Sequence, residues 1–122
     1  MTTPGSALLA AKRCVPCRGG AQPLRGVELA ALLTQLGGDW RAVDEHHLEK
    51  QYRFRDFSGA LAFANEVGAL ADEQNHHPDL HVAWGRLGVT LWTHTIDGLA
   101  EGDFVFAAKL DQLFEGLAAP AP

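Results

Sequence analysis

The chain has 122 residues, 47% hydrophobic and 20% charged, the balance of an ordinary soluble domain and too short for two independent cores. Ten Lys and Arg against fifteen Asp and Glu give a formal net charge of −5, which leaves no cationic surplus to neutralise a nucleic-acid backbone. No apolar run approaches the roughly 18 residues of a helical membrane span, and Ala7 to Ala11 lacks the basic flank of a secretory leader, so the cytoplasm is the expected compartment.

Residues 1–25 mix Pro4, Pro16, Pro23, Gly5, Gly19 and Gly20 with few large apolar groups and read as a loop-like arm. From Val27 onward, Leu29, Leu32, Leu33 and Leu36 recur at helical spacing until Gly37-Gly38 ends the run. Trp40 to Val43 is a short strand. Leu48 to Arg55 is a clearer one, with Leu48, Tyr52 and Phe54 on one side, and His46 and His47 fall in the connection. Asp56 suits the N-cap of a helix from about Phe57 to Glu73, whose apolar face is Ala60, Phe63, Val67 and Leu70.

Leu80, Val82 and Trp84 alternate, as do Leu87, Val89 and Leu91, so Gly85-Arg86 reads as a two-residue type II′ hairpin. That register opposes Trp84 to Leu87, Val82 to Val89 and Leu80 to Leu91 in the core. On the other face it opposes His81 to Thr90 and Asp79 to Trp92, and, if extended, His77 to His94. A last helix begins within 100–103, where Phe106, Leu110, Leu113, Phe114 and Leu117 recur at helical spacing. The expected fold is therefore α+β: a four-stranded antiparallel sheet with three helices on one face, in the order α-β-β-α-β-β-α. Its expected division is an arm over 1–25, a single domain over 26–117 and a flexible tail over 118–122.

Of the six histidines, four lie between His76 and His94. Strand and loop histidines are commonly solvated, but clustered rings call for a further reason. Neutral imidazoles can ligate zinc, yet consecutive His76 and His77 point apart in a regular strand, and no HExxH or paired CxxC pattern accompanies them, so no metal is expected. Imidazole also gives and takes protons near neutral pH, which suits a proton-in, proton-out reaction such as the elimination of water. Asp103 in the first turn of the last helix is the nearest carboxylate partner, a position where helix-dipole stabilisation alone also accounts for an acid. Trp92 falls on the histidine face, where a planar ligand can stack, whereas Trp84 falls on the core face. Cys14-Val15-Pro16-Cys17 has redox or metal half-site spacing without the strand-to-helix context of a redox site, and reads as a pair of reduced thiols.

Asp72-Glu73-Gln74-Asn75-His76-His77-Pro78-Asp79, followed by Trp84, Leu91-Trp92-Thr93-His94, Gly98-Leu99 and Asp103, resembles the pterin-4a-carbinolamine dehydratases. The resemblance extends to Cys14-Val15-Pro16-Cys17-Arg18-Gly19-Gly20 and Pro23-Leu24, similar to the leader of bacterial members, and to Phe54-Arg55-Asp56-Phe57 and Ala60-Leu61-Ala62-Phe63. It covers roughly Cys14 to Asp111. It implies a hydro-lyase that converts 4a-hydroxytetrahydrobiopterin to quinonoid dihydrobiopterin and water, with no metal or organic cofactor, in pterin recycling after aromatic amino acid hydroxylation. It also implies catalytic or pterin-contacting roles for His76, His77, Pro78, His94 and Asp103, an acidic residue at Asp72 in place of the more usual Glu, and a homodimer or homotetramer. Gly102 stands where some members carry Arg. Ala100 stands where some carry a capping Ser, whose loss is expected to loosen the turn that presents Asp103. Animal members also act as dimerisation cofactors of a transcription factor, which makes a protein-binding role the alternative.

Overall fold

The computed structural model describes residues 4–13 and 22–118; the Cys14 and Cys17 pair and residues 119–122 lie outside them. The leucine spacing produces helix α2 (Gly26–Leu36), which buries Leu29 and Leu36 and stops at Gly37, whose φ is 62°. Strands β1 (Arg41–Val43) and β2 (His47–Arg53) follow, then helix α3 (Phe57–Gln74), strands β3 (Asp79–Ala83) and β4 (Arg86–Leu91), a 3₁₀ turn (His94–Ile96) and helix α4 (Glu101–Ala118). The expected N-cap is present: Asp56 Oδ1 accepts from the Gly59 N–H at 2.8 Å. Among the described residues, no helix is long and apolar enough to cross a membrane.

All strand pairs are antiparallel in the order β1-β2-β4-β3, with the chain-distant pair β2 and β4 at the centre. Period-two alternation gives the sheet one apolar face, Leu48, Tyr52, Leu87, Val89 and Leu91, each at most 2% exposed. That face packs with Phe63 and Val67 of α3 and Phe104 and Leu110 of α4. Tyr52, Phe54, Phe63 and Phe114 form an aromatic cluster with centroids 4.9 to 5.6 Å apart. Tyr52 and Phe63 are the buried members, and a fully buried ring contributes about 1.5–3 kcal/mol relative to exposure. The opposite face carries the exposed Gln51, Arg53, Asp79 and His81.

Four expectations are corrected. Residues 4–10 lie within the expected arm yet form a helix, α1 (Pro4–Ala10), whose Leu9 is fully buried. Too short to persist alone, it is held from outside: Lys109 Nζ donates to the Ala10 carbonyl (2.7 Å), and Gln35 Nε2 to the Gly5 carbonyl (3.2 Å). Second, the β3-β4 register is shifted by two residues, so that Val82 opposes Leu87, Leu80 opposes Val89, His81 opposes Gly88 and Asp79 opposes Thr90. Gly85 takes the second central position with φ 75°, the pattern of a type II turn, and the even shift leaves the side chains that stay paired in the strands on their expected faces. Third, Trp84 consequently occupies the turn and is 73% exposed rather than core. The proposed extension opposing His77 to His94 also does not form, because β3 starts at Asp79 and β4 ends at Leu91.

Candidate active site

Asn75 closes α3 in the left-handed conformation (φ 53°), and the His76 N–H donates back to the Ala71 carbonyl (3.2 Å). This turn separates the two consecutive imidazoles before Pro78. His76 swings inward, its Nε2 lying 2.7 Å from Asp103 Oδ1 and its ring beside Phe106. His77 swings outward, its Nε2 lying 3.0 Å from Oδ1 of Asp72 in the last turn of α3, and both side chains are exposed.

Asp103 is completely buried and both its oxygens accept hydrogen bonds. Besides His76 on Oδ1, Thr93 Oγ1–H (2.8 Å) and the Ala100 N–H (2.9 Å) donate to Oδ2. The last bond is the reciprocal half of a capping box, in which the side chain at the third helical position reaches back to the cap N–H. Asp103 thus secures the turn that Ala100 was expected to loosen. With a carboxylate that can only accept, the His76 proton on that side belongs on Nε2, leaving Nδ1 for other partners.

Thr93 pairs with Gly98 in an isolated bridge, and between them the 3₁₀ turn presents His94, exposed, with its ring 4.4 Å from Trp92. Trp92 borders His94, but it stands just past the end of β4 and not opposite Asp79, which pairs with Thr90. The segment before α2 supports this turn from behind: the Leu24 N–H donates to the Leu99 carbonyl (2.8 Å), and Pro23 lies so close that a Cβ on Gly98 would stand 2.7 Å from it. His76, Thr93 and Asp103 are therefore locked together, His94 and Trp92 continue from Thr93, and Pro78 and His77-Asp72 follow from His76 toward solvent. Among the described residues, no group of three or more His, Cys, Asp or Glu is arranged to hold a metal ion.

The sequence placed His46 and His47 only in a connection, but the structure brings both to Trp92, at ring distances of 5.5 and 6.2 Å. The cause is the central β2-β4 pairing, in which Leu48 opposes Leu91 and so sets residue 47 beside residue 92. That pairing joins strands distant in the chain, and the only sequence signal for it was the matching alternation of the two strands.

A family model described as pterin 4 alpha carbinolamine dehydratase matches residues 22–113. A Rubrobacter xylanophilus protein named "Putative pterin-4-alpha-carbinolamine dehydratase" is 61% identical over 105 residues, covering 86% of this chain and 97% of that protein. A protein of the same name from Alkaliphilus metalliredigens is 46% identical, covering 85% and 94%. Among solved structures, a transcriptional coactivator/pterin dehydratase from Brucella melitensis superposes with a TM-score of 0.69 at 32% identity, covering 75% of this chain and 98% of that one.

Proposed function

The chain belongs to the pterin-4a-carbinolamine dehydratase family, and from that membership and the geometry of the histidines we propose that it dehydrates 4a-hydroxytetrahydrobiopterin to quinonoid dihydrobiopterin and water. The observation that carries this reading is buried Asp103, which holds His76 and Thr93 together directly before His94. In the proposed reaction the pterin N5 lone pair expels the 4a-hydroxyl while an imidazolium protonates it, so water leaves rather than hydroxide. A neutral imidazole of the same cluster takes the N5 proton. Asp103 orients His76, Asp72 and Pro78 set the position of His77, and Trp92 offers a flat wall to the pterin beside His94. No metal or organic cofactor enters the scheme. The product returns to tetrahydrobiopterin recycling, linked to an aromatic amino acid hydroxylase, in the cytoplasm.

Exposed Phe57, Leu61 and Trp84 support a homodimer or homotetramer. The same exposed apolar residues, with the coactivator role named for the Brucella melitensis structure, favour a protein-binding function as the second reading.

Stopped-flow absorbance of 4a-hydroxytetrahydropterin dehydration tests the proposal. Wild type is expected to accelerate the reaction equally with and without EDTA, and His77→Ala and His94→Ala to lose at least about tenfold each. No acceleration over buffer would transfer the assignment to protein binding, and loss on chelation would replace imidazole catalysis with a metal site.

A further inference from the structure

His46 and His47 stand in an unbroken hydrogen-bonded row between two carboxylates. His46 Nε2 lies 2.8 Å from Asp97 Oδ1, the two Nδ1 atoms are 3.1 Å apart, and His47 Nε2 lies 3.1 Å from Glu49 Oε2. Each of these three bonds needs one proton on a ring nitrogen, because an ionised carboxylate only accepts. Two neutral imidazoles bring only two. With two, either a ring lone pair faces a carboxylate or two lone pairs face each other; with four, two N–H groups collide between the rings. Only the singly protonated pair satisfies the whole row.

The row ends where the histidine site begins. Asp97 closes the 3₁₀ turn that His94 opens, in the left-handed conformation (φ 49°), with its N–H on the His94 carbonyl (3.2 Å). Trp92 has both paired rings and the His94 ring as neighbours. The other end is anchored: the His46 N–H donates to the Val43 carbonyl (2.9 Å), Glu45 Oε2 accepts from the Gly26 N–H (3.0 Å), and Glu49 Oε1 pairs with Arg41 (3.3 Å). The charged and titratable groups around the pair are therefore Asp97 and His94 from the 3₁₀ turn, Glu49 and Arg41 from β2 and β1, Asp44 and Glu45 from their connection, and Arg25 before α2.

We propose that His46 and His47, sharing one proton between their Nδ1 atoms, are positioning residues that clamp the His94-bearing turn and Trp92 in place. The role for His94 rests on the dehydratase reading, whereas the clamp itself rests on the hydrogen-bonded row.

Nitrogen-15 NMR of the full chain counts the ring protons directly. Three N–H protons over the two rings at neutral pH, with coupling between the two Nδ1 atoms through one of them, are expected; two or four would overturn the proposal. His46→Gln keeps a donor for Asp97, and His46→Asn withdraws it. The Asn variant is expected to shift and broaden the His94 ring signals and to lower kcat about tenfold with KM within about twofold of wild type. The Gln variant should keep the wild-type His94 signals and kcat. Wild-type His94 signals in the Asn variant would overturn the clamp. If the wild type dehydrates nothing, the NMR arms still judge the clamp while the dehydratase reading fails on its own.

Discussion

Asp103 reconciles two demands that usually fall on different residues, capping a helix and holding an imidazole. Its two oxygens accept from three donors, the His76 ring, the Thr93 hydroxyl and the Ala100 N–H, with no exposed surface left to water. Asn in its place has one accepting oxygen, and its NH₂ must face a donor on one side. We expect Asp103→Asn to cost about 1–3 kcal/mol in urea unfolding. In stopped-flow dehydration it should lower kcat by at least about tenfold, because either His76 loses its tautomer or the turn before His94 loses its tie. A variant that retains both stability and rate would remove Asp103 from the site.

Among the elements, the approach of residues 22–25 to the turn before α4 is the tightest steric constraint near the site. A methyl at Gly98 would meet Pro23 Cβ at 2.7 Å, whereas one at Gly116 in α4 would meet nothing within 4 Å. Gly98→Ala should therefore lose about 1–3 kcal/mol through displaced backbone, visible as a lower thermal midpoint. Gly116→Ala should be neutral or gain up to about 1 kcal/mol from helix propensity, and equal midpoints for the two variants would contradict the packing described. The elements from α2 to α4 were legible because their signals are local: leucine spacing, strand alternation and the Asp56 cap. What escaped was set elsewhere in the fold. Helix α1 depends on Lys109 and Gln35, and the approach of His46 and His47 to Trp92 depends on the central strand pairing. The hairpin register was ambiguous for a different reason, since Gly85 can supply a positive φ at either central turn position and the apolar alternation is unchanged by a two-residue shift. In the candidate site, the pairing of a histidine with Asp103 could be anticipated from residue chemistry, and the divergence of His76 and His77 from their adjacency, but which of the two turns inward to Asp103 was set by the fold around them.

At the scale of the whole molecule, α4 is tied to the sheet by a second buried acid. Asp111 accepts from Tyr52 Oη (2.6 Å) and Lys50 Nζ (2.7 Å) on one oxygen and from Trp40 Nε1 (3.1 Å) on the other. Burial, then the adjacent Asp111 charge and hydrogen bond and the charge of Glu115, raise the Tyr52 phenol far above its ordinary range. The folded chain therefore holds this proton more tightly than the unfolded one. Its contribution to stability is complete below the ordinary phenol value of about 10 and declines as pH rises beyond it, where only the unfolded chain releases the proton. Urea unfolding should show a midpoint that falls above about pH 10 in wild type and less steeply in Tyr52→Phe, which starts about 1–2 kcal/mol lower at neutral pH. Equal alkaline slopes would exclude Tyr52 as the cause. The backbone carries a constraint of another kind: Asp44, Glu45, Asn75 and Asp97 take positive φ without being glycine, and they lie directly before His46, directly before His76 and at the close of the His94 turn. β-Branched residues are barred from that conformation, while glycine and asparagine enter it readily. In any lineage that descends from this sequence, mutational drift is thus narrowed at positions that need do no chemistry themselves, and the permitted replacements there are set by stereochemistry before selection acts on the reaction.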